Sequence, residues 1–184
     1  MNFTDLDLSG LILVEPKVFE DERGFFYESY RANKFAEAGI RCEFVQANHS
    51  KSRQGSVRGL HYQIRPGQAK LIRCTAGRVW DVALDIRRDS PTFGKWSGVE
   101  LSAENKHMLF IPMGFAHGFS VLSENAEVQY LCSAYYDPDT EAGIAWNDPE
   151  IGVEWKVDDP IISQRDQNNP SFAEFKTTMG VLES

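Results

Sequence analysis

The chain has 184 residues, 42% of them hydrophobic and 25% charged, with a formal net charge of −8. That length suits one domain, residues 1–184, with a single substantial core. The acidic balance argues against nucleic acid as a partner, and no apolar run approaches the ~18 residues of a membrane span.

The start, MNFTDLDLSGLILVEP, is acidic, and its apolar piece, Leu11 to Val14, is too short for the core of a signal peptide. A cytoplasmic protein with no membrane association is expected. Leu11–Val14 reads as a strand ended by Pro16, and Asp21-Glu22-Arg23-Gly24 as a turn before a strand over Phe25–Tyr30. Asn33–Ala38 reads as a short helix with Asn33 as N-cap and Gly39 just past its end. Phe44–His49 is a further strand. Ser56–Arg73, SVRGLHYQIRPGQAKLIR, reads as a hairpin of two strands around Arg65-Pro66-Gly67-Gln68. In Arg78–Arg87, Val79, Asp81, Ala83 and Asp85 face one way and Trp80, Val82, Leu84 and Ile86 the other. The second face is wholly apolar, so it should meet the core or another subunit. Trp96–Leu101, Asn105–Ile111 and Ala126–Tyr136 complete the strands, with a turn at Pro112-Met113-Gly114. After Asp137 the chain is rich in Asp, Asn and Pro. It should wrap the body with little regular structure beyond a helix near Ser171–Thr177. About ten short strands and one or two small helices predict an all-β jelly roll or small barrel, a fold that holds ligands between its sheets.

Three groups with chemistry lie within thirteen residues: Arg58, His61 and Lys70. A cation for an anionic group, a base that titrates near neutrality and a second cation suit proton abstraction beside a carbonyl. Arg58 and His61 have opposite parity, so a flat strand would point them to opposite faces. Gly59 between them could carry a bulge that corrects this. His49 and His107 read as structural. His117 stands in Pro112-Met113-Gly114-Phe115-Ala116-His117, a P-x-G-x-x-H pattern that resembles the second motif of the cupin superfamily. The first cupin motif wants H-x-H and then a glutamate. Here it is His61-Tyr62-Gln63, with Arg65 and Lys70 following. Two expected ligands are missing and positive charge is added, so a cupin-like barrel with no metal and no cofactor is expected. Tyr130 and Tyr136 share one face of a strand, which β-propensity alone explains. Cys42, Cys74 and Cys132 are far apart and odd in number, and read as buried thiols in a reducing compartment.

DERGFFYESY, QANHSKS, VRGLHYQ, the Lys70 strand, IPMGFAHGF, QYLCSAYYDPDTEAGIAWNDPEIGVEW and SQRD occur in that order along nearly the whole chain. The ordered set resembles the dTDP-4-dehydrorhamnose 3,5-epimerase family. The resemblance implies a cupin-like double-stranded β-helix, assembled as a homodimer, that needs no metal. It implies a nucleotide-diphosphate 4-keto-6-deoxysugar as substrate, inverted at C3 and C5. It implies His61 as catalytic base, Asp166 of SQRD as its partner, Lys70 as active-site cation and Tyr130 as catalytic tyrosine. Phe19, Arg23, Glu28, Gln46, Asn48, Arg58, Tyr136 and Glu141 match nucleotide and phosphate contacts, and His117 a further pocket residue. Arg165 stands where the family usually has lysine, which keeps the charge and changes its geometry. Phe19, Arg23 and Glu28 are expected to serve the neighbouring subunit's pocket.

Three alternatives stay open on the residues. One is an epimerase acting at C3 only or C5 only on a related nucleotide 4-ketosugar. Another is a 3,4-ketoisomerase. The third is a non-catalytic sugar-nucleotide-binding cupin, which the intact His61, Asp166, Lys70 and Tyr130 set disfavours.

Overall fold

The alternation of apolar residues produces two facing six-stranded layers. The structure, a computed structural model, describes residues 1–182, with side chains described through residue 178. In chain order the strands begin with β1 (Asn2–Asp5), β2 (Ile12–Glu15), β3 (Phe19–Asp21) and β4 (Gly24–Phe26), followed by helix α1 (Ala32–Glu37). Then come β5 (Gln46–Arg53), β6 (Ser56–Gln63), β7 (Lys70–Ala76), β8 (Arg78–Asp85) and β9 (Trp96–Ser102). Next are β10 (Met108–Ile111), β11 (Phe115–Val121), β12 (Asn125–Cys132), β13 (Glu141–Gly143) and β14 (Ile161–Ile162). Helices α2 (Gln164–Gln167) and α3 (Phe172–Leu182) follow. The first sheet runs β1-β2-β10-β7-β12-β5, and the second runs β13-β6-β11-β8-β9 with β14 added parallel to β6. β3 and β4 form a separate hairpin.

The space between the sheets is filled at one end by Ile72, Leu109, Ile111 and Val128 from the first sheet and Val79, Ala83, Phe119 and Val121 from the second. Each outer face has its own cover. Phe35 and Ile40, on and after α1, pack on Ile12, Val14, Leu71, Met108 and Phe110 of the first sheet. The tail brings Ile144, Ile151, Trp155, Phe172 and Phe175 onto Val57, Leu60, Val82, Leu84 and Ala116 of the second. The apolar face of β8 is therefore covered by this chain's own tail, and another subunit is not needed there. The polar face of β8 points inward, where Asp81 and Asp85 are fully buried.

Ser56–Arg73 is not a hairpin. β6 belongs to the second sheet and β7 to the first, so residues 64–69 carry the chain across the gap. The crossing is tied to the loop after β12: Gln68 Nε2 donates to the Ala134 carbonyl at 2.9 Å, and Ala69 N donates to Ser133 Oγ at 2.8 Å. Local patterning cannot tell a hairpin from such a crossing, because both read as strand, turn, strand.

The expected strand over Phe25–Tyr30 ends at Phe26. Tyr30 instead packs on Phe35 and Phe44, at centroid distances of 4.9 and 5.4 Å. Asn33 is not the N-cap of α1; Arg31 holds that position without a side-chain cap, and Asn33 Oδ1 accepts from Arg31 Nε. β12 ends at Cys132, so Tyr136 lies beyond the strand. His49 pairs with Glu127 at 3.1 Å and His107 with Glu15 at 3.6 Å, both at the surface, as their structural reading required.

Asp85 supplies a test of what closes the loop after β8. Burial pushes its carboxyl up. Hydrogen bonds from Arg87, Ser90 and Thr92 outweigh that and bring it from 3.8 to about 2. A depressed carboxylate contributes stability that is present above its unfolded value and lost as pH falls through its folded value. Asp85→Asn should therefore cost roughly 2 kcal/mol near neutral pH, and the deficit should shrink as the pH is lowered from about 4 toward 2. Urea unfolding at both ends of that window measures it; an equal deficit at both would refute the assignment.

Candidate active site

At the other end of the barrel the two sheets stand apart and enclose a cavity of about 620 Å³. One wall is the second sheet, with Arg58 and His61 on β6 and His117 and Phe119 on β11. The facing wall is the first sheet, with Lys70 on β7, Tyr130 on β12 and Asn48 on β5. Cα register places Asn48 opposite Tyr130 and Lys70 opposite Cys132, so Lys70 stands two residues along, diagonal to the Asn48–Tyr130 pair on the same face. The rim is made by Tyr136, Glu141 and Arg165, with Asp166 behind His61.

Arg58 and His61 reach the same cavity because β6 bulges. Across β6 and β11, His61 faces His117 and Arg58 faces Phe119, so three steps on one strand match two on the other. The extra residue lies at Gly59, which has φ +134°. A Cβ there would lie 2.6 Å from Gly118 Cα, so the strands approach too closely for any side chain.

His61 Nε2 is 2.6 Å from Asp166 Oδ1. An ionised carboxylate only accepts, so Nε2 carries the proton and donates it, leaving Nδ1 as the basic nitrogen. Asp166 is delivered by α2, whose N-cap Ser163 accepts from Asp166 N at 3.1 Å, and its second oxygen accepts from Gly59 N at 3.4 Å. Burial pushes the Asp166 carboxyl up, but His61, Gly59 N–H and Ser163 outweigh it and hold the group below the usual range. On the facing wall, burial pulls the Lys70 ammonium below lysine's ordinary range, opposed by Cys132, Glu141 and Asp81. Its Nζ lies 6.0 Å from the centre of the Tyr130 ring. Burial raises the Tyr130 phenol, with Cys132 and Glu141 adding to the rise and Asn48 and Arg58 opposing it. The phenol is therefore kept in its proton-donating form.

Arg58 Nε donates to Ser52 Oγ at 2.9 Å, which aims the guanidinium. At the rim Arg165 pairs with Glu141 at 2.7 Å, and Tyr136 hydrogen-bonds the same carboxylate, which pushes its phenol up. Gln46 stands one step back from the wall. Its Oε1 accepts from Tyr136 N and its Nε2 donates to Asn48 Oδ1, at 2.9 and 3.0 Å. No group of three His, Cys, Asp or Glu side chains is gathered for a metal among the described residues. A second cavity of about 450 Å³, beside Pro66, Met113 and Phe175, has largely apolar walls and includes no histidine or carboxylate among its described lining.

The matching family model is dTDP-4-dehydrorhamnose 3,5-epimerase, over residues 5–174. The chain belongs to this epimerase family. It is 53% identical over 176 residues to the dTDP-4-dehydrorhamnose 3,5-epimerase of Shigella flexneri, covering 95% of this chain and 97% of that protein. The crystal structure of the Legionella pneumophila dTDP-6-deoxy-D-glucose-3,5-epimerase in complex with dTDP-4-keto-L-rhamnose superposes with a TM-score of 0.93. That pair is 44% identical and covers 97% of this chain and 96% of that one. A 3'-monoepimerase from Streptomyces bikiniensis in complex with dTDP-quinovose matches with a TM-score of 0.88 at 35% identity, over 95% and 89% of the two chains. The fold is therefore the cupin-like barrel expected of the epimerase family, and the chain is an isomerase of that type.

Of the residues expected at the epimerase site, His61, Lys70, Tyr130, Asp166, Asn48, Arg58, His117, Tyr136, Glu141 and Arg165 gather on this one cavity. Gln46 supports it from behind. Phe19, Arg23 and Glu28 do not reach it within this chain. Phe19 is 54% exposed, Arg23 pairs with Asp21, and Glu28 pairs with Lys34 and Arg31. Sequence reasoning missed Ser52, Ser163 and Asp81. Asp81 carried a signal: with Asp85 it is an acidic residue among apolar neighbours on one face of the β8 strand.

Because one bulge aligns Arg58 with His61, Gly59→Ala should do more than weaken the fold. An expected cost of about 2–4 kcal/mol in urea unfolding should accompany loss of turnover in the fraction that remains folded. Full activity per folded molecule would show that the bulge is not what brings the two side chains together.

Proposed function

We propose that this chain inverts C3 and C5 of dTDP-4-dehydro-6-deoxy-D-glucose to give dTDP-4-dehydro-L-rhamnose. The observation that carries the reading is the facing of the two walls: an oriented imidazole on one sheet, and a half-buried phenol beside a half-buried lysine on the other. A C4 ketone acidifies the hydrogens on C3 and C5. His61 Nδ1 removes one of them, and the electron pair moves into the C3–C4 or C5–C4 bond and onto the C4 oxygen. Asp166 stabilises the imidazolium that forms. Lys70 stabilises the enolate oxygen, a preorganised charge worth ~3 kcal/mol. Tyr130 then gives its proton to the opposite face of the carbon, which inverts it, and proton exchange with solvent resets both groups. The sequence repeats at the second carbon. No step needs a metal or a cofactor: Lys70 already supplies the positive charge, and both cavity imidazoles have Nε2 committed to carboxylates. Arg58 and Arg165 hold the diphosphate by charge-assisted hydrogen bonds.

A second reading, inversion at one carbon, is favoured by the 35% identity to the 3'-monoepimerase. Incubation with the 4-ketosugar in D2O, read by NMR at C3 and C5, decides between them. Two inverted, deuterated centres are expected; one would establish the narrower activity.

We read residues 1–184 as one epimerase domain, since the tail both covers the second sheet and returns Asp166 to the cavity. We place it in the cytoplasm, where its three free thiols suit a reducing compartment.

We further infer a homodimer in which the β3–β4 hairpin gives Phe19 and Arg23, and the segment after it Glu28, to the partner's cavity. Phe19, Phe25 and Phe26 are 54%, 60% and 66% exposed, an aromatic patch that a monomer would leave in water. Light scattering should give twice the chain mass; a fully active monomer would refute it.

The acid and the base should separate in an isotope experiment. His61→Ala should abolish both epimerisation and hydrogen exchange. Tyr130→Phe should lose epimerisation by roughly 10²–10⁴-fold yet keep some exchange into D2O with the starting configuration, because His61 can return a solvent proton to the face it came from. Joint loss of both in Tyr130→Phe would mean that Tyr130 is not merely the opposite-face acid.

The two cations should fail differently. Lys70→Ala should lower kcat by about 10²–10³-fold, since its charge meets an enolate that exists only along the reaction path. Arg58→Ala should mainly raise KM, by roughly tenfold or more. A Lys70→Ala enzyme altered only in KM would exclude the enolate role.

A further inference from the structure

Asp81 is a fully buried carboxylate that the reaction as drawn does not use. It lies on β8, flanked on its face by the core residues Val79 and Ala83, and it is not on the cavity wall. Both its oxygens meet one atom, His117 Nε2, at 3.1 and 3.0 Å, and no other hydrogen bond reaches it among the described residues. An apolar side chain would suit those surroundings better, since a buried carboxylate with a single partner is costly. What the core loses there, the cavity gains. His117 lines the cavity wall and is the Cα partner of His61 across β11 and β6.

A neutral imidazole has two tautomers, and they present opposite groups to a ligand. With Nδ1 protonated, His117 would donate to the cavity; with Nε2 protonated, it accepts there. An ionised Asp81 accepts only, so it selects the Nε2–H form. His117 Nδ1 has no hydrogen-bond partner among the described residues, on a side chain that lines the cavity. We propose that Asp81 is a positioning residue that locks His117 as its Nε2–H tautomer, so that Nδ1 accepts a hydrogen bond from a hydroxyl of the sugar ring beside His61. This rests on the epimerase reading of the cavity. It separates the two histidine–aspartate pairs by role. His61, with its side chain 24% exposed, exchanges protons; His117, at 8%, holds one.

The test begins with the unaltered protein. 15N NMR of the histidine rings distinguishes the two tautomers and the imidazolium, and His117 should show the Nε2–H form near neutral pH. Asp81→Asn, whose amide can donate or accept, should give a mixture of tautomers. It should lower kcat/KM by roughly 10–100-fold, as loss of a partner that orients a functional imidazole does, with no loss of thermal stability. In a His117→Ala background the same change should lower kcat/KM by less than about twofold, because Asp81 then has nothing to position. An Nδ1–H or imidazolium signal in the unaltered protein, or additive effects in the double variant, would overturn the proposal. Protein that turns over the sugar with the wrong tautomer overturns only the clamp. Protein that shows the tautomer but does not turn over the sugar overturns the hydroxyl contact together with the epimerase reading.

Discussion

The 2.6 Å contact between His61 and Asp166 joins residues 105 positions apart, and much of the architecture serves to make it. His61 is set by the barrel: β6 is paired to β11 and β13 and bulged at Gly59. Asp166 is set by the tail, which anchors Trp155, Phe172 and Phe175 in the apolar face of the second sheet and adds β14 beside β6. Between those anchors Ser163 caps α2, whose third helical residue is aimed at the imidazole. The tail is thus more than a cover. The hydrophobic surface it buries supplies the free energy that orders a four-residue helix, which has too few residues to be stable by itself. One segment both covers the second sheet and completes the His61–Asp166 pair.

The cavity also resolves a conflict between composition and chemistry. A chain of net charge −8 repels a nucleotide diphosphate at long range. Its cavity lining nevertheless carries Arg58, Lys70 and Arg165 against Glu141 and Asp166. Both carboxylates are engaged, Glu141 by Arg165 and Asp166 by His61, while Lys70 is held by burial in an environment that disfavours its charge. An arriving anion therefore meets a locally positive site. On the proposed mechanism, the enolate meets a cation that burial has already stripped of part of its solvation, the condition under which such a charge acts more strongly than in water.

Much of this was legible in the sequence, and the parts that were not share a cause. The ordered motifs marked His61, Lys70, Tyr130 and Asp166, and the parity conflict between Arg58 and His61 pointed to a bulge at Gly59, where it lies. Strand periodicity marked β8 correctly as two-faced. Which partner covers each face depends on contacts made across long sequence separations, and local pattern carries no information about those. Hence Ser56–Arg73 read as a hairpin although it crosses between sheets. The apolar face of β8 was offered to the core or a neighbour, and it does meet a core, one that the tail builds. Asp81 was noted as part of a polar face although that face is the interior. The tail was expected to wrap the body, but its few anchoring aromatics are spread among Asp, Asn and Pro at no fixed period, so the pattern does not say which face it grips.

On the proposed mechanism, the two-walled geometry also lets one acid–base set serve two carbons. C3 and C5 flank the C4 carbonyl, and in a gluco-configured ring their hydrogens are axial on the same face. A single base on one wall therefore meets both hydrogens from one side, and a single acid on the facing wall meets both carbons from the other. Moving between the two sites asks only for a shift of the ring about the carbonyl, whose oxygen can stay at Lys70 throughout. A site with base and acid on the same wall would return each proton to the face it left, giving exchange without inversion. The jelly roll supplies the opposition directly, because residues 64–69 carry the chain from the sheet that bears His61 to the sheet that bears Lys70 and Tyr130. Had that segment been the hairpin it resembles, His61 and Lys70 would lie on neighbouring strands of one sheet, and the chemistry would have lost its second face.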